Sequence, residues 1–159
     1  MILTSLFLLG FVSLGFKVLL LRESLIIFSD NEMIMGIFFA SWAVVVAAGA
    51  YIAAIYSPRL KNVGKLSGIL ISIVGFIMPL EIFLVRFSRR FLQKIPTETL
   101  GLSITAAFLF LSVLLVSFLF GVWFVWAAKI FSENRNSGDG ISGRLYAIEC
   151  LGAVLGGLL

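Results

Sequence analysis

Five charged side chains lie within or beside long apolar stretches of this 159-residue chain: Lys17, Arg22, Glu23, Glu32 and Glu81. A charge near the centre of a bilayer costs about 2.5–3.5 kcal/mol on insertion scales, so such residues usually face a partner or a cavity. Two kinds of chemistry fit these residue types. The three carboxylates could relay a proton or a cation, or the whole group could form a structural salt-bridge network at a helix junction. We favour the structural network and keep the relay as the alternative.

Lys17 and Glu81 occupy similar positions in their apolar segments. Lys17 follows Ile2 by fifteen residues, and Glu81 follows Leu66 by the same number. If the two segments run in the same direction as helices, the two charges lie at similar depth and could form an ion pair. The alternative is that Lys17 extends to the membrane surface while Glu81 lies near water at a helix end.

Other reactive residue types are scarce. The chain has no histidine and only one cysteine, Cys150. Bis-histidine haem needs two imidazoles and most zinc sites use at least one, so we expect neither a metal site nor a cofactor. No nucleophile and base can be assembled from the sequence, and we therefore do not expect an enzyme. The net charge of +4 fits the basic loops of membrane proteins, and we expect no binding to nucleic acid.

The apolar stretches predict the fold. Hydrophobic residues make up 61% of the chain, against about 45–50% in soluble domains. Residues 33–58 and 100–128 carry no charge, and about 20 apolar residues suffice for a helix to cross a bilayer. We predict a single all-α domain over residues 1–159, a polytopic transmembrane helical bundle with four full spans and a C-terminal fifth helix. The predicted helices cover about 2–28, 32–56, 66–87, 100–128 and 144–159.

Small residues predict where these helices approach each other closely, because glycine lets helix backbones touch in lipid. The candidates are Gly49, Gly64, Gly68, Gly152 and Gly156. Trp123 and Trp126, near the end of the fourth helix, are interpreted as anchors at the membrane surface.

A basic stretch follows the third predicted helix and contains Arg86, Arg89, Arg90 and Lys94. Phe87, Phe91 and Leu92 alternate with these charges, which is typical of a short amphipathic helix lying on lipid headgroups. We expect this basic surface to contact anionic lipid, with an acidic partner as the alternative.

Several motifs together resemble a known family. They are 15–23 (GFKVLLLRE), 28–32 (FSDNE), 79–81 (PLE), 96–101 (PTETLG) and 143–152 (GRLYAIECLG). Their order and spacing are similar to the membrane domain of fused spermidine synthase-like proteins, which carry a major-facilitator-like membrane region ahead of a soluble aminopropyltransferase domain. Lys17 departs from the Glu that we expect at this position of the family. The sequence ends where the family continues into further helices and the synthase domain, so aminopropyl transfer is not expected of these residues.

These observations predict a non-enzymatic integral membrane subunit that anchors or scaffolds a larger assembly, in a bacterial inner membrane. Its expected partners are the lipid bilayer and another membrane protein chain that packs on the C-terminal helix. Two alternatives stay open. The chain could be half of a transporter for polyamines or other cations, or a histidine-free membrane subunit of a redox complex.

Overall fold

A computed structural model describes residues 2–27, 32–57, 62–92, 102–133 and 141–158. This part of the chain is helical throughout, which confirms the predicted all-α class. The five helices are α1 (Ile2–Ile27), α2 (Glu32–Tyr56), α3 (Val63–Leu92), α4 (Leu102–Glu133) and α5 (Ile141–Gly157).

Three of the helices have stretches long and apolar enough to cross a membrane: Glu32–Tyr56, Val63–Ser88 and Ser103–Ser132. Four full spans were predicted. These three helices have the length and apolar composition of a span, and the prediction of a fourth is not confirmed. Helix α1 has 26 residues, but Lys17, Arg22 and Glu23 interrupt its apolar character. In α5 the apolar part, Leu145–Gly157, is shorter than a typical span.

Helix α3 is longer than the sequence predicted. It begins at Val63 and continues to Leu92, so Arg86, Arg89 and Arg90 belong to its last turns rather than to a separate surface helix. Continuing the same helix keeps the backbone groups hydrogen-bonded as the chain leaves the apolar layer. Lys94 lies outside the described residues.

Helices α2 and α4 pack side by side through glycine. A Cβ atom on Gly49 would overlap the carbonyl oxygen of Phe118, and one on Gly121 would overlap a carbonyl oxygen of α2. Further along both helices, the Lys129 Nζ donates a hydrogen bond to the Ser57 carbonyl oxygen at 2.5 Å. Gly49 contacts Phe118, and the later residue Ser57 contacts the later residue Lys129, so α2 and α4 run parallel.

Helices α1 and α5 form a second glycine-lined pair. Cβ atoms on Gly152 and Gly156 would overlap the carbonyl oxygens of Phe7 and Phe11, respectively. From the other side, a Cβ on Gly10 would overlap the backbone of α5. The two contacts lie one helical turn apart in both helices and in the same order, so α1 and α5 are also parallel. Their backbones are in direct contact.

The core lies where these two pairs meet each other and α3, which contributes Leu70, Val74, Met78 and Val85. The Trp42 ring packs between Phe16 of α1 and Phe120 of α4, with ring centroids 6.5 Å and 5.9 Å away. Trp123 is buried in the same core, and within the described structure the indole N–H groups of Trp123 and Trp126 are buried without a hydrogen-bond partner. The interpretation as a surface anchor is therefore wrong for Trp123, whose ring lies in the core. Trp126 is only half-buried, and for this residue the interpretation stays a prediction.

Candidate functional site

Glu23 and Arg86 form an ion pair that joins α1 to α3. The Arg86 Nη2 and Nε atoms lie 2.8 Å and 2.9 Å from the same Glu23 oxygen, Oε1. Glu23 is buried, whereas the Arg86 side chain is 60% exposed. Two charge-assisted contacts hold a buried carboxylate here. The sequence had placed Arg86 on the basic surface, and its role as the partner of Glu23 was not predicted.

The other two charges beside Glu23 take no part in this pair. Arg22 and Glu32 are both exposed. The compact network of five charges expected from the sequence is therefore divided in the structure. Glu23 pairs with α3, Arg22 and Glu32 face outward, and Lys17 and Glu81 occupy two separate environments.

Lys17 is half-buried among α1, α2 and α5. Its Nζ atom lies over the Trp42 ring, 4.4 Å from the ring centroid, which is the geometry of a cation–π contact. Glu149 of α5 is within electrostatic range of the Lys17 ammonium but makes no direct ion pair with it.

Glu81 points in a different direction, into the space between α3 and α4. It is only 6% exposed, and its Oε2 atom has no hydrogen-bond partner among the residues that the structure describes. A buried carboxylate oxygen without a donor is costly, so this position is the strongest candidate for a functional site.

The proposed ion pair of Lys17 and Glu81 does not form. The two residues lie at similar levels along their helices, but their side chains point toward different neighbours. Helices α1 and α3 run parallel, since residues 8–12 of α1 line one apolar cleft with residues 70–78 of α3, and farther along both helices Glu23 pairs with Arg86. The same register places Lys17 and Glu81 at similar levels. Lys17, however, turns toward α2 and α5, while Glu81 turns toward α4.

A cleft of about 310 Å³ opens beside Glu81. Its walls are the apolar side chains of α3 and α4, with three polar exceptions: Glu81, Ser88 and Ser112. The Ser88 hydroxyl donates to the Val85 carbonyl oxygen at 2.7 Å, and the Ser112 hydroxyl donates to the Leu109 carbonyl oxygen at 2.8 Å. Both serine oxygens are therefore left as acceptors.

The predicted packing glycines divide into two groups. Gly49, Gly152 and Gly156 lie against the backbone of a neighbouring helix. A Cβ atom on Gly64 or Gly68 would meet no described atom within 4 Å. The GxxxG spacing at the start of α3 therefore does not bring α3 against another described helix.

Two glycines that the sequence analysis did not single out, Gly10 and Gly121, complete these close contacts. Gly121 is notable in the sequence, because it interrupts an otherwise bulky run of Phe, Leu, Val and Trp in α4. Gly10 has a similar setting in α1. An isolated glycine in a bulky apolar helix was the signal that could have identified both.

The basic surface can be placed only in part. Arg86 binds Glu23. Arg89 and Arg90 belong to the last turns of α3, and their side chains lie outside the described part, as does all of Lys94. Contact with anionic lipid stays a prediction for these residues.

In the described segments, no cluster of three or more His, Cys, Asp or Glu side chains could hold a metal ion. Comparisons with protein-family models, curated protein sequences and solved structures found no match to this chain.

Proposed function

We propose that this chain is a non-enzymatic membrane subunit whose α2 helix packs against a helix of another membrane protein. The observation that carries the proposal is a small-residue face along the outside of α2. Its members are all exposed: Gly36, Ala40, Ala43, Ala47 and Ala54.

The spacing of this small-residue face is that of a helix-packing surface. Its members recur at intervals of four, three, four and seven residues, which keeps them on one side of a helix. The buried residues of α2, including Trp42 and Gly49, lie on the opposite side. In lipid, helices associate through close van der Waals contact, and small side chains permit that approach.

Within the molecule, α2 already uses this mode of packing. Gly49 places the α2 backbone directly against Phe118 of α4. The outer face repeats the small-residue composition along the full helix. By analogy, a second helix at this face would complete a three-helix layer with α2 in the middle.

The sequence predicted a partner on α5, and the glycine face of this helix is covered by α1 of the same chain. A partner on α5 would have to use its opposite side, where Leu151, Val154 and Leu155 are exposed. These large side chains are suited to lipid contact, so we place the partner on α2.

We also propose that α1 crosses the membrane as the fourth span, in a bacterial inner membrane. The Arg86 guanidinium compensates Glu23, and the Trp42 ring compensates Lys17, which reduces the cost of placing these charges in lipid. The likeness to the membrane domain of spermidine synthase-like proteins is part of this proposal, and it rests on the sequence motifs.

The test measures the mass of the assembly in native-lipid particles extracted without detergent. Ala43→Leu and Ala47→Leu add bulk to the small-residue face, whereas Ala48→Leu makes the same change on an exposed residue beside it. We expect the first two variants to lose a stoichiometric partner that wild type and Ala48→Leu retain. A monomeric wild-type chain in such particles would refute the proposal.

A second candidate is favoured by Glu81: the chain as part of a cation transporter. A buried carboxylate in a cleft between two membrane helices is typical of ion pathways. Cation flux into proteoliposomes that contain the full assembly would then fall in Glu81→Gln. Unchanged flux in this variant would exclude the role.

A further inference from the structure

We infer that the cleft between α3 and α4 binds a membrane-soluble primary amine, whose ammonium group contacts Glu81 and whose apolar chain lies along the helices. The inference does not depend on a partner at α2. It concerns another helix face and a different kind of ligand.

The polar groups of the cleft are suited to bind an ammonium group. Glu81 Oε2 has no donor among the described residues, and the hydroxyl protons of Ser88 and Ser112 are engaged by backbone carbonyl groups. All three side chains therefore present acceptors. A primary ammonium carries three N–H donors and no acceptor, which complements this set. Its positive charge also compensates the carboxylate.

The packing of α3 against α4 indicates where in the cleft the ammonium group lies. Helix α3 contributes residues from Ile77 to Ser88, and α4 contributes residues from Phe108 to Leu115. The two helices run antiparallel, since residues 70–78 of α3 line one cleft with Phe120 of α4, whereas the later residues 77–88 line the Glu81 cleft with the earlier residues 108–115. Ser112 and Glu81 line this same cleft from opposite helices, and we infer that one ammonium group contacts both.

The apolar lining selects the rest of the ligand. Around the three polar side chains, the walls consist of aliphatic and aromatic groups such as Leu84, Val85 and Leu111. A site of a few hundred Å³ with an apolar lining and few polar groups is typical of small-molecule binding. One carboxylate compensates one charge, so a second ammonium at the far end of the ligand would face apolar walls and weaken binding.

The experiment measures hexylammonium binding to the purified full chain in lipid nanodiscs, with empty nanodiscs subtracting partition into lipid. We expect saturable binding to wild type and a loss of affinity of about ten-fold or more in Glu81→Gln, since a charge-assisted contact is removed. Glu32→Gln changes an exposed carboxylate on α2 and should leave the affinity unchanged. Ser112→Ala removes one acceptor and should weaken binding about three-fold.

Three further probes show which features of the ligand the cleft recognises. Hexanol keeps the chain without the charge, hexyltrimethylammonium keeps the charge without N–H donors, and 1,6-diaminohexane adds a second charge. Each should bind more weakly than hexylammonium. Equal binding of hexylammonium to wild type and Glu81→Gln, both folded by circular dichroism, would overturn the inference, as would equal binding of hexanol.

Discussion

The α1/α5 and α2/α4 pairs differ from α3 in how they join the bundle. In the two pairs, glycines allow direct backbone contact, as at Gly49 and Gly152. Helix α3 has three glycines of its own, Gly64, Gly68 and Gly75, yet none of them meets another helix in the described structure. Side chains and the Glu23–Arg86 ion pair hold α3, and two apolar clefts lie along it, one toward α1 and one toward α4.

The tightly packed helices and the helix that borders the clefts are therefore different parts of the molecule. Backbone contact leaves no room between helices, so we expect the two pairs to be the most rigid part of the described structure. Side-chain contact leaves gaps, and the gap beside Glu81 contains a carboxylate oxygen without a donor in the described structure.

The largest loss of stability is expected when a large side chain replaces a glycine that lies against a neighbouring helix. Gly152→Leu and Gly49→Leu would force the paired backbones apart, which we expect to lower the free energy of unfolding by about 3 kcal/mol. Unfolding in mixed micelles, followed by circular dichroism, measures the change. Gly68→Leu supplies the same side chain at an open position. Equal destabilisation by all three variants would contradict the difference between the pairs and α3.

A smaller effect is expected at the ion pair that attaches α3. Arg86→Gln leaves the buried Glu23 carboxylate without its partner and should cost about 1–3 kcal/mol. The double variant with Glu23→Gln should be less destabilised than the sum of the two single variants. Arg22→Gln, at an exposed cation one residue from Glu23, serves as the control. Strictly additive effects of the pair would show that it does not hold α3.

Lys17 should show a weaker coupling, and to Trp42 rather than to Glu81. A cation–π contact of this kind is worth about 0.5–2 kcal/mol. In double-mutant cycles, Lys17→Met should be non-additive with Trp42→Leu and additive with Glu81→Gln. Coupling to Glu81 alone would restore the ion pair that the sequence suggested and would contradict the observed directions of both side chains.

The smallest expected change is a gain in stability. Gly68→Ala places a methyl group where it meets no described atom and improves helix propensity, which should add up to about 1 kcal/mol. Thermal unfolding in the same micelles measures the shift. A clear loss of stability would reveal a close neighbour of α3 at this point.

The sequence predicted the helices well because the length of an apolar run is a local property. The start of α2 at Glu32 and its end at Tyr56 agree with the predicted bounds. The end of α3 was predicted less well, because basic residues at the membrane surface are compatible with either a new helix or a continued one.

The site was harder to predict because it depends on which helices are neighbours. Equal spacing placed Lys17 and Glu81 at similar depth, and the helix register agrees with that. Spacing along a helix does not tell which helix a side chain faces. Trp123 was misinterpreted for the same reason. It lies near the predicted end of the fourth helix at residue 128, which suggested the membrane surface, whereas α4 continues to Glu133 and the Trp123 ring is buried in the core.

Photo-cross-linking in intact membranes shows whether another membrane protein covers the small-residue face of α2. A benzophenone side chain can replace Phe39 and Tyr51, two exposed aromatic residues that flank this face, and Phe76, an exposed aromatic residue of α3. We expect a cross-link to one and the same protein from positions 39 and 51, and none from position 76. Absence of any protein cross-link from positions 39 and 51, or an equal one from position 76, would contradict this expectation.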